Sequence, residues 1–136
     1  MSNFIRVIVI DPFHGTVTEA QLEAGDYRAI YPFIDCDTFD IARTMGEDWI
    51  PAHYSMHWDI EAVEAMRRAS IDVYCDDEGL FKPAPLYATR LPTGQPLAGK
   101  LMLASSNDEG ETIGLPDFLT VEVVSRAVSF GTMSPV

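Results

Sequence analysis

The chain has 136 residues, 47% hydrophobic and 22% charged, a size and balance that bury a core without disulfide staples and exclude the apolar-poor composition of disorder. Twenty-one acidic residues against nine basic ones leave a formal net charge of −12, which argues against direct nucleic-acid or membrane binding because phosphate backbones and anionic bilayers are repelled. The same field keeps a protein soluble and draws in a basic partner surface.

Phe4 to Ile10 is apolar and β-branched on both faces, which predicts a central strand covered on two sides. Arg6 interrupts this run and Asp11-Pro12 ends it, so it is too short for a signal-peptide core or a membrane span. The two cysteines, Cys36 and Cys75, have no ligand or disulfide spacing, and a cytoplasmic location is the expectation. Asp11 to Gly15 supplies turn residues and Thr16 to Thr18 a short second strand, giving a hairpin. Ile30, Phe33 and Ile34 have helical spacing, but Pro32 limits any helix to a short or kinked one.

Thr38 to Arg43 alternates as a half-buried strand, and residues 44–57 read as a loop containing Pro51. Asp59 is placed to cap a helix running to about Ala69, with Ile60, Val63 and Met66 on the buried side. Ile71 to Cys75 returns to strand character and enters a turn at Asp76-Asp77-Glu78-Gly79. The prolines and glycine between Pro83 and Gly94 predict irregular structure around a short strand at Tyr87 to Leu91. Lys100 to Ala104 is a further strand and Ser105 to Gly114 a polar loop. Val121, Val124 and Val128 fit a helix while Val121 and Val123 fit a strand; we read a helix from Thr120 and a strand at Val128 to Phe130. The fold class is therefore α+β: one compact domain over residues 1–136, a mostly antiparallel sheet with two or three helices, those at about 59–69 and 120–127 on one face.

Few residues are arranged for chemistry. His53 and His57 have the i, i+4 spacing by which two imidazoles share a zinc ion, with Asp59, Glu61 or Glu64 as a third ligand, yet Tyr54 stands where a metalloprotease carries its glutamate. Two incidental loop histidines are the favoured reading. Trp49, Tyr54, Met56 and Trp58 are residue types that anchor interfaces, although aromatics tucked under a long loop are the favoured reading. Asp35, Asp37 and Asp40 form one carboxylate cluster and Asp76, Asp77 and Glu78 another; a hard cation could be shared between them, but without EF-hand spacing turn capping and solvated charge are the favoured reading. No nucleophile elbow, phosphate loop or dinucleotide fingerprint is present, so nothing specifies an enzyme and no cofactor is implied.

The strings Ile10-Asp11-Pro12, Ile30-Tyr31, Cys36 to Asp40, Val73 to Lys82 and Gln95 to Lys100 occur in an order that resembles the family catalogued as domain of unknown function 3846, with the D-D-E-G-L block at Asp76 to Leu80 the most specific part. The resemblance implies an accessory protein of bacteriophages, plasmids or their bacterial hosts, and carries no residue roles with it. Residues 44–70 read as an insertion relative to that pattern, and long surface insertions often carry function. The leading expectation is a non-enzymatic protein that binds a basic host factor through an acidic surface, as a counter-defence inhibitor or a mimic of nucleic-acid charge. Its contacts would be Trp49, Trp58, Asp76, Asp77 and Glu78. The alternatives are a binder of a small nucleotide-like ligand near Asp76 to Lys82 and a metal-dependent hydrolase using the carboxylates.

Overall fold

Strand β1 (Phe4–Asp11) turns back through residues 12–15 and pairs along its whole length with β2 (Thr16–Glu23). The turn is held by the Asp11 carboxylate, whose Oδ1 accepts the amide of Phe13 at 2.8 Å and that of His14 at 3.3 Å. Gly15 closes it at φ 65°, a left-handed conformation that a residue with a Cβ adopts only under strain. These relations are taken from a computed structural model that describes residues 3–50, 59–79, 82 and 86–133.

Beyond the hairpin lie β3 (Phe39–Met45), β4 (Ser70–Asp76) and β7 (Leu101–Ser106), which complete a sheet of order β2-β1-β7-β4-β3, every pairing antiparallel. The two-residue strand β8 (Thr112–Ile113) extends β7. A smaller antiparallel sheet has β5 (Leu86–Arg90) between β6 (Pro96–Ala98) and β9 (Ser129–Met133). Mostly antiparallel strands with a few short helices make the chain an α+β protein.

The large sheet is apolar on both faces because its inner strands are apolar at both parities. Ile8 and Ile10 of β1, Ile71 and Val73 of β4, and Leu101 and Leu103 of β7 point into one core with Leu119, Val123 and Val124. Val7, Tyr74, Met102 and Ala104, the alternate residues, point into a second core with Leu22, Ile30, Ile34 and Cys36. The two-sided burial expected of residues 4–10 is thus present, although β7, with neighbours on both sides, is the central strand.

Helix α4 (Val121–Ala127) covers the first core and starts where Thr120 Oγ1 accepts the Val123 amide at 3.2 Å. Helix α3 (Ile60–Arg68) buries Val63 and Met66, whereas Ile60, expected on the same side, is 77% exposed. Asp59 stands at the N-cap of α3, but its side chain makes no capping bond. The second core is closed by a 3₁₀ turn at Tyr27–Ala29 and the four-residue helix α1 (Tyr31–Ile34), short as Pro32 requires.

Three local expectations need correcting. Thr44 and Met45 belong to β3, and Gly46–Trp49 forms helix α2, where a loop was read. Strand β2 runs to Glu23 rather than stopping near Thr18. Strand β8 lies within the segment read as a polar loop, and β6 in a stretch where no strand was expected, since each is too short to show a hydrophobic period.

Candidate binding groove

The second core is open at one side, where the sheet and two flanking loops enclose a concavity of ≈ 630 Å³. Ile5, Phe39, Ile41 and Tyr74 supply apolar lining from the sheet, and Tyr27 and Thr112 line it from the flanking segments. The Tyr74 hydroxyl lies 3.2 Å from Thr112 Oγ1, tying β4 to β8.

Four aromatic rings make consecutive contacts, and three of them, Tyr27, Phe39 and Tyr74, line the groove. Tyr27 meets Tyr31 edge-on at 6.1 Å, Tyr31 meets Phe39 at 5.8 Å, and Phe39 meets Tyr74 at 5.3 Å. The spacings suit favourable offset and edge contacts. Tyr27 heads the ladder and is 62% exposed, so its ring is open to a ligand.

Carboxylates dominate the polar lining: Glu23, Asp26, Asp72 and Glu111, against the guanidinium of Arg43. Asp72 is only 2% exposed, and its Oδ1 accepts from Ser70 Oγ at 3.0 Å and from Arg43 at 3.3 Å. Ser106 in turn donates to Ser70 Oγ at 3.2 Å, so a polar chain closes one end of the groove. Asp26 Oδ1 accepts the Arg28 amide and side chain at 3.0 and 3.1 Å, which holds its carboxyl below the usual range.

The residues expected to form a site are distributed otherwise. Trp49, expected as an interface anchor, is 1% exposed and belongs to the first core, so its ring is not available to a partner. Trp58, with His53 and His57, lies outside the described residues. Asp76, Asp77 and Glu78 form a turn at the end of β4 opposite Ser70. There Asp76 Oδ1 accepts the Glu78 amide at 2.9 Å and its Oδ2 lies 3.6 Å from Lys82 Nζ, while Thr38 Oγ1 donates to Asp77 at 3.1 Å.

The register Phe39↔Asp76 brings the two carboxylate runs to one end of the sheet. Lys100 adds a 2.7 Å ion pair to Asp35 that raises its own pKa, so capping and ion pairing account for much of the charge. Among the described residues no three His, Cys, Asp or Glu side chains are grouped so as to hold a metal ion. Burial, and then the charges of Asp76 and Asp37, push the Cys36 thiol up to about 11, which suppresses the thiolate a nucleophile needs.

Sequence reasoning missed the groove itself. Tyr27 and Tyr31 at i, i+4 were a local signal for half of the ladder, but Phe39 and Tyr74 join them only through the β3–β4 pairing.

Fold and site together define an α+β domain with an aromatic, acid-rimmed groove. The chain belongs to the family described as Domain of unknown function (DUF3846), whose model matches residues 57–127, just over half of its length. The match includes Asp76 to Leu80 and also α3, so the second part of the segment read as an insertion lies within the family pattern. No curated protein and no solved structure matches the chain. Among the described residues no helix is long and apolar enough to cross a membrane.

Proposed function

We propose that the protein is a non-enzymatic accessory protein that captures a basic partner surface in this groove, an arginine or lysine side chain lying against the exposed ring of Tyr27. The observation that carries this reading is the exposed Tyr27 ring at the head of the aromatic ladder, in a groove lined by Glu23, Asp26 and Glu111. A ring face attracts a guanidinium or ammonium through its quadrupole, and carboxylates around it add charge-assisted hydrogen bonds. The net charge of −12 steers a cationic partner toward the molecule and raises the association rate. The phage, plasmid or bacterial setting implied by the family resemblance suits such a host-directed role.

Calorimetric titration with a short peptide alternating arginine and leucine tests the reading. Binding is expected to weaken steeply with added salt and to fall about tenfold in Tyr27→Ala, the value of one cation–π contact at a partly desolvated site. Salt-independent binding, or equal affinity of the variant, would contradict it.

A second reading has one observation in its favour. Arg43 and the aromatic rings line the same groove, which suits a planar anionic ligand of nucleotide type. Native mass spectrometry of the freshly purified protein separates the two, since a retained small molecule supports only this one.

A further inference from the structure

Asp72 differs from the other carboxylates of the groove in being buried. Glu23, Asp26 and Glu111 are exposed, whereas the Asp72 side chain keeps 2% of its surface in contact with water. A carboxylate at that depth needs a cation and hydrogen bonds to offset the hydration it has lost. Ser70 Oγ donates to it at 3.0 Å and is itself held by Ser106, which fixes the carboxylate in place. Among the described residues its cation is Arg43, the register partner of Asp72 on β3.

The pair is asymmetric. The Arg43 side chain is 69% exposed and reaches Asp72 with one nitrogen, Nη1, at 3.3 Å, longer than the roughly 2.7–2.9 Å of a strong charge-assisted bond. Among the described residues both hydrogen bonds to the carboxylate fall on Oδ1, which leaves Oδ2 for a second donor. A guanidinium carries two parallel N–H groups that match the two oxygens of a carboxylate, and Arg43 uses only one of them here. A guanidinium that engaged both oxygens would hold Asp72 more strongly, and displacing Arg43 costs little because its side chain already lies mostly in water. Ile41 and Arg43 alternate along β3 as Asp72 and Tyr74 do along β4, and all four line the groove, so the carboxylate is continuous with its apolar lining.

We infer that Asp72 is a guanidinium subsite of the groove, filled in the free protein by the chain's own Arg43 and taken over by a partner's arginine on binding. The inference rests on the cationic-partner reading and narrows it. Arginine is preferred to lysine, because an ammonium is a point charge that cannot engage both carboxylate oxygens in parallel. Arg43 is then an internal competitor, and the partner's apparent affinity is reduced by the fraction of molecules in which it occupies Asp72.

Two measurements test this separately. In Arg43→Ala the Asp72 carboxylate has lost its counter-ion, and guanidinium chloride at about 10 mM is expected to raise the melting temperature by about 2 °C or more. No such rise is expected in the wild type, in the double variant Arg43→Ala with Asp72→Asn, or with sodium chloride at the same concentration. In calorimetry the arginine–leucine peptide is expected to bind Arg43→Ala about tenfold more tightly than the wild type, and a lysine–leucine peptide to gain less than about threefold. Arg67→Ala removes an exposed positive charge outside the groove lining and is expected to change either affinity less than about twofold. Arg43→Met keeps the apolar stem and serves if the alanine variant misfolds. A melting temperature of the Arg43 variant that guanidinium leaves unchanged would overturn the subsite, as would peptide binding equally tight with and without Arg43. Guanidinium stabilisation of the Arg43 variant beside a complete lack of peptide binding would support the subsite while contradicting the cationic-partner reading.

Discussion

The indole N–H of Trp49 donates to Thr44 Oγ1 at 2.8 Å, and the Thr44 hydroxyl donates onward to the Ile71 carbonyl at 2.6 Å. This relay fastens α2 to β3 and β4 inside the first core. Trp49→Ala should cost about 3–5 kcal/mol through the cavity it leaves. Thr44→Val keeps the shape but orphans a buried indole N–H, and should cost about 1–3 kcal/mol. Urea unfolding measures both, and a Trp49→Ala protein as stable as the wild type would refute the core assignment.

Gly46 opens α2 beside the end of α3, where its amide donates to the Ala69 carbonyl at 2.8 Å. A Cβ on this residue would collide with the Met66 carbonyl oxygen and lie 3.0 Å from the Phe118 ring. Backbone cannot yield as a side-chain tip does, so Gly46→Ala should lose about 3 kcal/mol, at the upper end of overpacking costs. A loss below half that in thermal or urea unfolding would show that α2 and α3 separate readily.

These two residues show where sequence patterns stop. The parity of Ile8 and Ile10 against Val7 made two-sided burial readable, and Val63 with Met66 made α3 readable, because each rests on local periodicity. The valine spacing from Thr120 likewise matches α4, whose start the structure shows capped by the Thr120 side chain. Trp49 has no such marker: an aromatic residue in a polar stretch reads alike whether it anchors a partner or fills the core. The groove depends on β7 lying between β1 and β4, a long-range pairing that no local pattern records.

Cys36 and Cys75 are free and buried, and both thiols are pushed up to about 11, by burial first and then by nearby carboxylates. Since the folded state holds these protons more tightly than the unfolded chain, their contribution is complete below about pH 9, the ordinary thiol value, and fades as pH rises toward 11. Native protein at pH 8 should therefore react with a thiol reagent far more slowly than urea-unfolded protein. Rapid labelling of either cysteine in the folded state would contradict the burial.

If the groove takes a cationic partner because of the charges in its own lining, reversing a charge there weakens binding more than reversing one elsewhere on the surface. Glu111→Lys reverses an exposed charge on the groove wall, while Asp117→Lys makes the same net change at an exposed position outside the groove lining. With folding checked by circular dichroism, the association of the arginine–leucine peptide is measured for both variants at physiological salt, where charges more than about 8 Å apart are largely screened. The expected result is at least a tenfold loss for Glu111→Lys and less than a twofold change for Asp117→Lys. Equal losses in the two variants would mean that only net charge matters, and would contradict the groove as the binding site.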